Sequence, residues 1–301
     1  MTITELIKQG FYYARTCKSL WLFGFFVGIA SGGSNGGGGG GGHDDAGGAA
    51  VAVGAIGAAA SAGDLSAGDL LNLSVSQVAP IVIGVLLLIL AYVILRFIGE
   101  GALIEGIVRA RQGGTMTTGE GFRAGWAHWG VLVRIALLYL AASAGSMVLL
   151  AAPCVIAMFT LGPIAAVLVG LPMLIVAVPW LVTLYLVQAF AWRIAVLENR
   201  HALDAIAKAR LFLHGRLLHG LKLIVATFIG SLGFAFLAFV TMVPVVLLLV
   251  ALIPVLNVWP VVVIGCVVLL PMIYVLSAML GTFRSSVWTI GYVTEVPQVE
   301  S

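Results

Sequence analysis

The chain has 301 residues, of which 61% are hydrophobic and only 9% charged, with a net charge of +3. Soluble domains carry roughly 25% charged residues, so this composition excludes an ordinary water-soluble globule. The small positive charge gives no reason to expect a nucleic-acid partner, because membrane topology accounts for the bases.

Residues 2–18 mix Leu6, Ile7, Phe11 and Tyr12 with Lys8, Arg15 and Lys18. That is the pattern of a short amphipathic helix at a membrane interface. The apolar run Leu20 to Ala30 continues it as the core of a first span, about 16–32. A cleaved signal peptide ending at Ala30 is the competing reading. Gly24, Gly28 and Gly32 are spaced four apart, a small-residue stripe that lets another helix approach closely. Similar stripes at Gly162, Ala166, Gly170 and at Ser277, Gly281, Ser285 favour packing within the chain.

Residues 31–76 read as a Gly-rich extracytoplasmic loop. Gly36 to Gly42 are consecutive glycines, with too little side-chain area to offset the entropy of ordering them. No Gly-Lys-Ser/Thr follows, so this is no phosphate loop. His43, Asp44 and Asp45 read as solvated rather than as metal ligands.

A second span is expected over 78–98 and a surface stretch over 100–127. A third span follows over 129–152. No charged residue occurs from Ile135 to Trp192, which is long enough for two spans with a turn near Thr160 to Pro163. The fourth span, 164–195, is longer than the hydrocarbon core and is expected to tilt, to bend at Pro172 or Pro179, or to protrude. A basic hinge, Arg193 to Lys222, precedes the uncharged run Leu223 to Phe283. Pro254 to Pro260, which includes Asn257, breaks that run into spans 223–252 and 261–290. Residues 293–301 form a polar tail.

The expected fold is therefore all-α: one polytopic domain of six transmembrane helices with interfacial amphipathic helices. With the amino terminus inside, all 15 Lys and Arg fall on the inner side, while the first outer loop carries Asp44, Asp45, Asp64 and Asp69. Both termini are then cytoplasmic. Glu5, Lys8 and Gly10 compare with Glu120, Arg123 and Gly125, and more loosely with Asp204, Lys208 and Ala209. Each set has an acid, a base three or four places on and a small residue at the sixth place, and each precedes a hairpin. Either a parallel internal repeat or the general character of interfacial helices explains this. Acid and base at that spacing are expected to pair.

Two stretches carry a family resemblance. One is Gly101-Ala-Leu-Ile-Glu-Gly-Ile-Val-Arg109 with Glu120-Gly-Phe-Arg-Ala-Gly-Trp126, and the other is Trp192-Arg-Ile-Ala-Val-Leu-Glu198 with Asp204 and the bases after it. With Trp21-Leu-Phe-Gly24, the chain resembles uncharacterised prokaryotic six-span membrane proteins. It is also similar to the membrane domain fused to some glycerophosphodiester phosphodiesterases. The resemblance implies a helical membrane domain and does not carry over the activity, which belongs to a separate barrel.

The sequence contains no HExxH, Walker A or Gly-x-Ser-x-Gly pattern, so no catalytic, cofactor or metal residue is assigned. Cys17, Cys154 and Cys266 read as small buried hydrophobes. Gln188 reads as helix–helix glue. Glu100, Glu105, Glu120, Glu198 and His201 are the polar residues from which an interfacial headgroup enzyme would have to be built, and they read as solvated charges. In the hinge, Ala202, Ile206, Ala209 and Leu213 share a face expected to dip into the acyl boundary. Lys208, Arg210 and Arg216 are the candidate lipid-headgroup contacts, and His214 and His219 accompany them. The expected partners are membrane lipids, with a second copy or another membrane protein as possible company. The expected role is structural, accessory or lipid-associated. A transporter for a neutral or lipid-like solute and a membrane-embedded headgroup enzyme are the alternatives.

Overall fold

The computed structural model describes residues 2–32, 75–256 and 258–295. The Gly-rich stretch, His43 to Asp45, Asn257 and the end of the tail lie outside the described residues. The described residues are almost all helical, without strands. Helix α1 is Ile3–Thr16, a 3-10 turn spans Lys18–Leu20, and α2 is Trp21–Gly32. Then come α3 (Val75–Arg111), α4 (Thr118–Leu161), α5 (Pro163–Leu197), α6 (Ala202–Leu213), α7 (Leu217–Leu256) and α8 (Val258–Glu295).

The hairpin turns fall where Pro and Gly place them. Gly162 (φ 90°) ends α4, and Pro163 opens α5 at a first-turn position where a missing N–H costs nothing. Helix α5 runs unbroken past Pro172 and Pro179. Five helices, α3, α4, α5, α7 and α8, are long and apolar enough to cross a membrane. The protein is thus a multi-pass helical membrane protein. The expected first span departs from this pattern. Cys17 leaves the helical region at φ −87°, ψ 66°, and α2 has only 12 residues, about 18 Å at 1.5 Å per residue against a hydrocarbon core of about 30 Å.

The other five helices exceed that thickness. They have 35 to 44 residues, or roughly 50–65 Å, and burial shows how the excess is used. Toward one end large apolar side chains are bare: Leu86 is 65% exposed, Leu149 74%, Phe159 83% and Leu248 64%. Such a belt is untenable in water and costs nothing in lipid. Toward the other end Ile98, Leu132, Phe190 and Phe283 are at most 1% exposed. Arg96, Arg134 and Arg284 sit near the border between the two zones.

The packed end is built from three similar units. Helices α3, α5 and α8 touch one another at the centre, α2 packs between α8 and α3, and α4 between α3 and α5, while α7 lies on α8. Each unit begins with a short helix or helix start that packs on the last helix of another unit: α1 on α8, the start of α4 on α3, and α6 on α5. The small residue at the sixth place makes these contacts possible. A Cβ on Gly125 would overlap the Ile98 carbonyl oxygen, one on Gly10 would come 2.8 Å from Val287, and Ala209 is fully buried.

The acids of the three units act differently from the expected pairing with the base that follows. Glu5 accepts from the Thr2 N–H (2.9 Å) and Glu120 from the Thr117 N–H (2.9 Å), each within a reciprocal capping box. A carboxylate three places into a helix reaches back to an orphan backbone donor more readily than forward to a solvated base. His201 begins the third helix without any side-chain cap.

Candidate functional site

The charges at the packed end form two layers. The inner layer joins the three central helices. Glu100 lies on α3 between Gly99 and Gly101, and Arg193 lies on α5 between Trp192 and Ile194. Their side chains meet at 3.3 Å and are 9% and 4% exposed. Arg193 also donates to the Ala189 carbonyl, and its guanidinium lies 5.6 Å from the centre of the Trp288 ring on α8. Arg193 Nε, Trp192 Nε1 and the hydroxyls of Ser285 and Thr289 are buried without a hydrogen-bond partner. The expected solvated Glu100 is therefore a buried, paired one. Its small neighbours let other helices come close, Gly99 against Phe23 of α2 and Gly101 against Gly125 of α4, and the apolar residues around the pair exclude water.

The outer layer centres on Glu198, which caps the end of α5. It accepts from Tyr292 Oη of α8 (2.8 Å), Arg200 Nε (3.0 Å) and Lys208 Nζ of α6. Asn199 takes a left-handed conformation (φ 50°) that turns the chain back into α6. The Tyr292 ring packs on Phe190 and Phe212. Beside this cluster Glu295 meets Arg216 (3.4 Å) and His219 Nδ1 (3.3 Å), and His219 Nε2 faces the Gly291 carbonyl at 3.2 Å.

Burial pushes the Glu198 carboxyl up, but the bonds from Lys208, Tyr292 and Arg200 outweigh it and hold the pKa below the ordinary value. A carboxyl lowered by folding adds stability that is complete above its unfolded pKa, about 4.3 for Glu. That stability is lost as pH falls through the lowered value. Glu198→Gln should therefore melt earlier than wild type at pH 7, and the gap should narrow as pH falls below about 4.3. Melting in detergent across this range checks it, and a gap of equal size at both ends would sink the account.

Of the bases singled out in the hinge, Lys208 is engaged by Glu198 rather than Asp204, and Arg216 by Glu295 and the Phe212 ring. Arg210 is exposed and has no partner among the described residues. The face of α6 expected to enter lipid turns inward instead. Ala202, Ala209 and Leu213 are buried against the protein, whereas Leu203 and Leu211 are 71% and 76% exposed. Both orientations suit an amphipathic helix of this length, and contact with Phe190 and its neighbours on α5 decides between them.

Glu120 closes its capping box and meets Arg109 at 3.6 Å. Glu105 is half-buried, His201 and His214 are exposed, and Gln188 is buried on α5. The structure does not bring these acids together, since Glu100 and Glu198 each face bases instead. Among the described residues no group of three His, Cys, Asp or Glu could hold a metal ion, and the three cysteines are free thiols. The sequence signal at the inner pair is slight: Glu100 sits between two glycines, and Arg193 ends the uncharged run from Ile135 to Trp192. No known protein family, curated protein or solved structure matches the chain.

Proposed function

We propose that the chain is a six-span structural or accessory protein of the cytoplasmic membrane, associated with lipid, with α2 completing the sixth span and both termini in the cytoplasm. The observation that carries this reading is the engagement of four acids of the packed end. Glu100, Glu120, Glu198 and Glu295 are each held by a base, so they tie helices together rather than standing ready for substrate. A domain that accompanies an enzyme without its chemistry fits the resemblance to the membrane domain of glycerophosphodiester phosphodiesterases. The bare outer belt supports a lipid partner first, with a second copy or another membrane protein as the other candidate for its apolar faces.

The orientation follows from the fifteen bases, and accessibility tests it. In a background lacking Cys17, Cys154 and Cys266, a cysteine at Thr160 should react with an impermeant thiol reagent added to sealed cells. Cysteines at Gln112 and His214 should react only after lysis. Labelling of Gln112→Cys in intact cells would overturn the orientation.

The role is tested with the full chain in phospholipid vesicles. Tightly retained phospholipid and no protein-dependent release of trapped neutral solutes are expected. Saturable release lost in Glu100→Gln would replace this reading with transport. Hydrolysis of a headgroup, lost in Glu198→Gln, would replace it with an enzyme.

A further inference from the structure

An open groove of about 600 Å³ runs between α4 and the start of α6. It is lined by Arg134, Leu137 and Leu138 on one side and by His201, Leu203 and Asp204 on the other. Its position on α4 is telling. Leu132, Ile135 and Ala136 are buried there, whereas Leu137 and Leu138 just beyond them are 58% and 42% exposed. The groove thus crosses the level where lipid headgroups would give way to acyl chains. This placement rests on the membrane orientation proposed above.

Its charges stand unpaired. Most acids of the packed end meet a base, yet Arg134 and Asp204 share one groove and pair neither with each other nor with any described residue. Opposite charges standing apart in a groove with apolar walls complement a molecule that carries both signs and a hydrocarbon tail. An anionic headgroup would satisfy Arg134 but set negative charge against Asp204. A choline headgroup has the right charges but no N–H to give the carboxylate. A primary ammonium satisfies both.

We propose that this groove binds a phospholipid with a phosphoethanolamine headgroup, its phosphate on Arg134, its ammonium on Asp204 and an acyl chain along Leu137 and Leu138. The uncapped start of α6 adds to the fit. Thr2 and Thr117 close the starts of α1 and α4, whereas His201 leaves the first-turn N–H groups of α6 available for a phosphate oxygen.

The test is native mass spectrometry of the full chain in detergent, titrated separately with dioleoyl phosphatidylethanolamine, phosphatidylcholine and phosphatidylglycerol. Wild type should bind the ethanolamine lipid about tenfold more tightly than the choline lipid, a difference of about 1.4 kcal/mol. Asp204→Asn should remove that preference, and Arg134→Gln should weaken all three lipids. Arg111→Gln, an exposed base at the end of α3, should change nothing. Asp204 and Arg134 are exposed and unpaired, so both variants should keep the wild-type melting temperature, which separates lost binding from lost fold. Equal binding of ethanolamine and choline lipids by wild type would overturn the proposal. So would tighter binding of phosphatidylglycerol that Asp204→Asn leaves intact or improves. Either result with the thiol accessibility pattern unchanged rejects the lipid assignment alone, whereas a reversed pattern rejects the orientation beneath it.

Discussion

Arg193→Met is expected to destabilise the packed end by about 3–5 kcal/mol, because it leaves the Glu100 carboxylate buried without its partner. The pair itself contributes much less than this, since two desolvated charges roughly offset their own attraction. The double variant Glu100→Gln/Arg193→Met should therefore recover most of the loss. Arg193 also holds the Ala189 carbonyl and lies over Trp288, so recovery is expected to stop short of wild type unless the Met side chain fills the space. Unfolding in detergent, followed by circular dichroism with all four members of the cycle, reads the coupling directly. A double variant no better than Arg193→Met would mean that Glu100 is not what makes Arg193 matter.

The second large effect lies where α2 meets α8. The glycine stripe of α2 mates with the small-residue stripe of α8: a Cβ on Gly24 would overlap the Ala278 carbonyl oxygen, and one on Gly28 the Ser277 carbonyl oxygen. A Cβ on Gly281 would in turn overlap the backbone of Gly24. These obstacles are backbone atoms, which cannot swing aside as a side chain can. Gly28→Ala should thus push the two helices apart and cost at least the roughly 1–3 kcal/mol of an overpacked core. Gly281→Ala should behave alike. Gly145→Ala is the matched control: its Cβ would meet nothing within 4 Å, and Ala favours a helix over Gly by about 0.5–1 kcal/mol. Melting temperatures that fall for Gly28→Ala and Gly281→Ala but hold or rise for Gly145→Ala support the close approach. Equal behaviour at all three positions would refute it.

The stripes at Gly24 and Gly28 and at Ser277 and Gly281 were legible in the sequence, because spacing by four places residues on one helical face whatever the fold. Their mutual pairing was not, since nothing local tells one such stripe from that at Gly162, Ala166 and Gly170. The repeat of acid, base and small residue was legible too, but its acids turned out to cap helices. That outcome depends on Thr2 and Thr117, which lie just outside the pattern. Lys208 shows the same limit from the other side: Asp204 is four places away, yet Glu198 is the partner, because the turn at Asn199 brings the end of α5 back over α6.

By itself the sequence determined an all-helical membrane protein and the turn at Gly162 and Pro163, because long apolar runs and Pro or Gly act through neighbouring residues alone. Only the tertiary structure decided that the helix ends beyond the bare belt pack together, that α6 turns Ala202, Ala209 and Leu213 inward, and that Glu100 meets Arg193. Those two residues are 93 positions apart in the chain, and a charge reads alike in sequence whether water or a guanidinium surrounds it. The distinction exists only once α3, α5 and α8 come together and exclude the water.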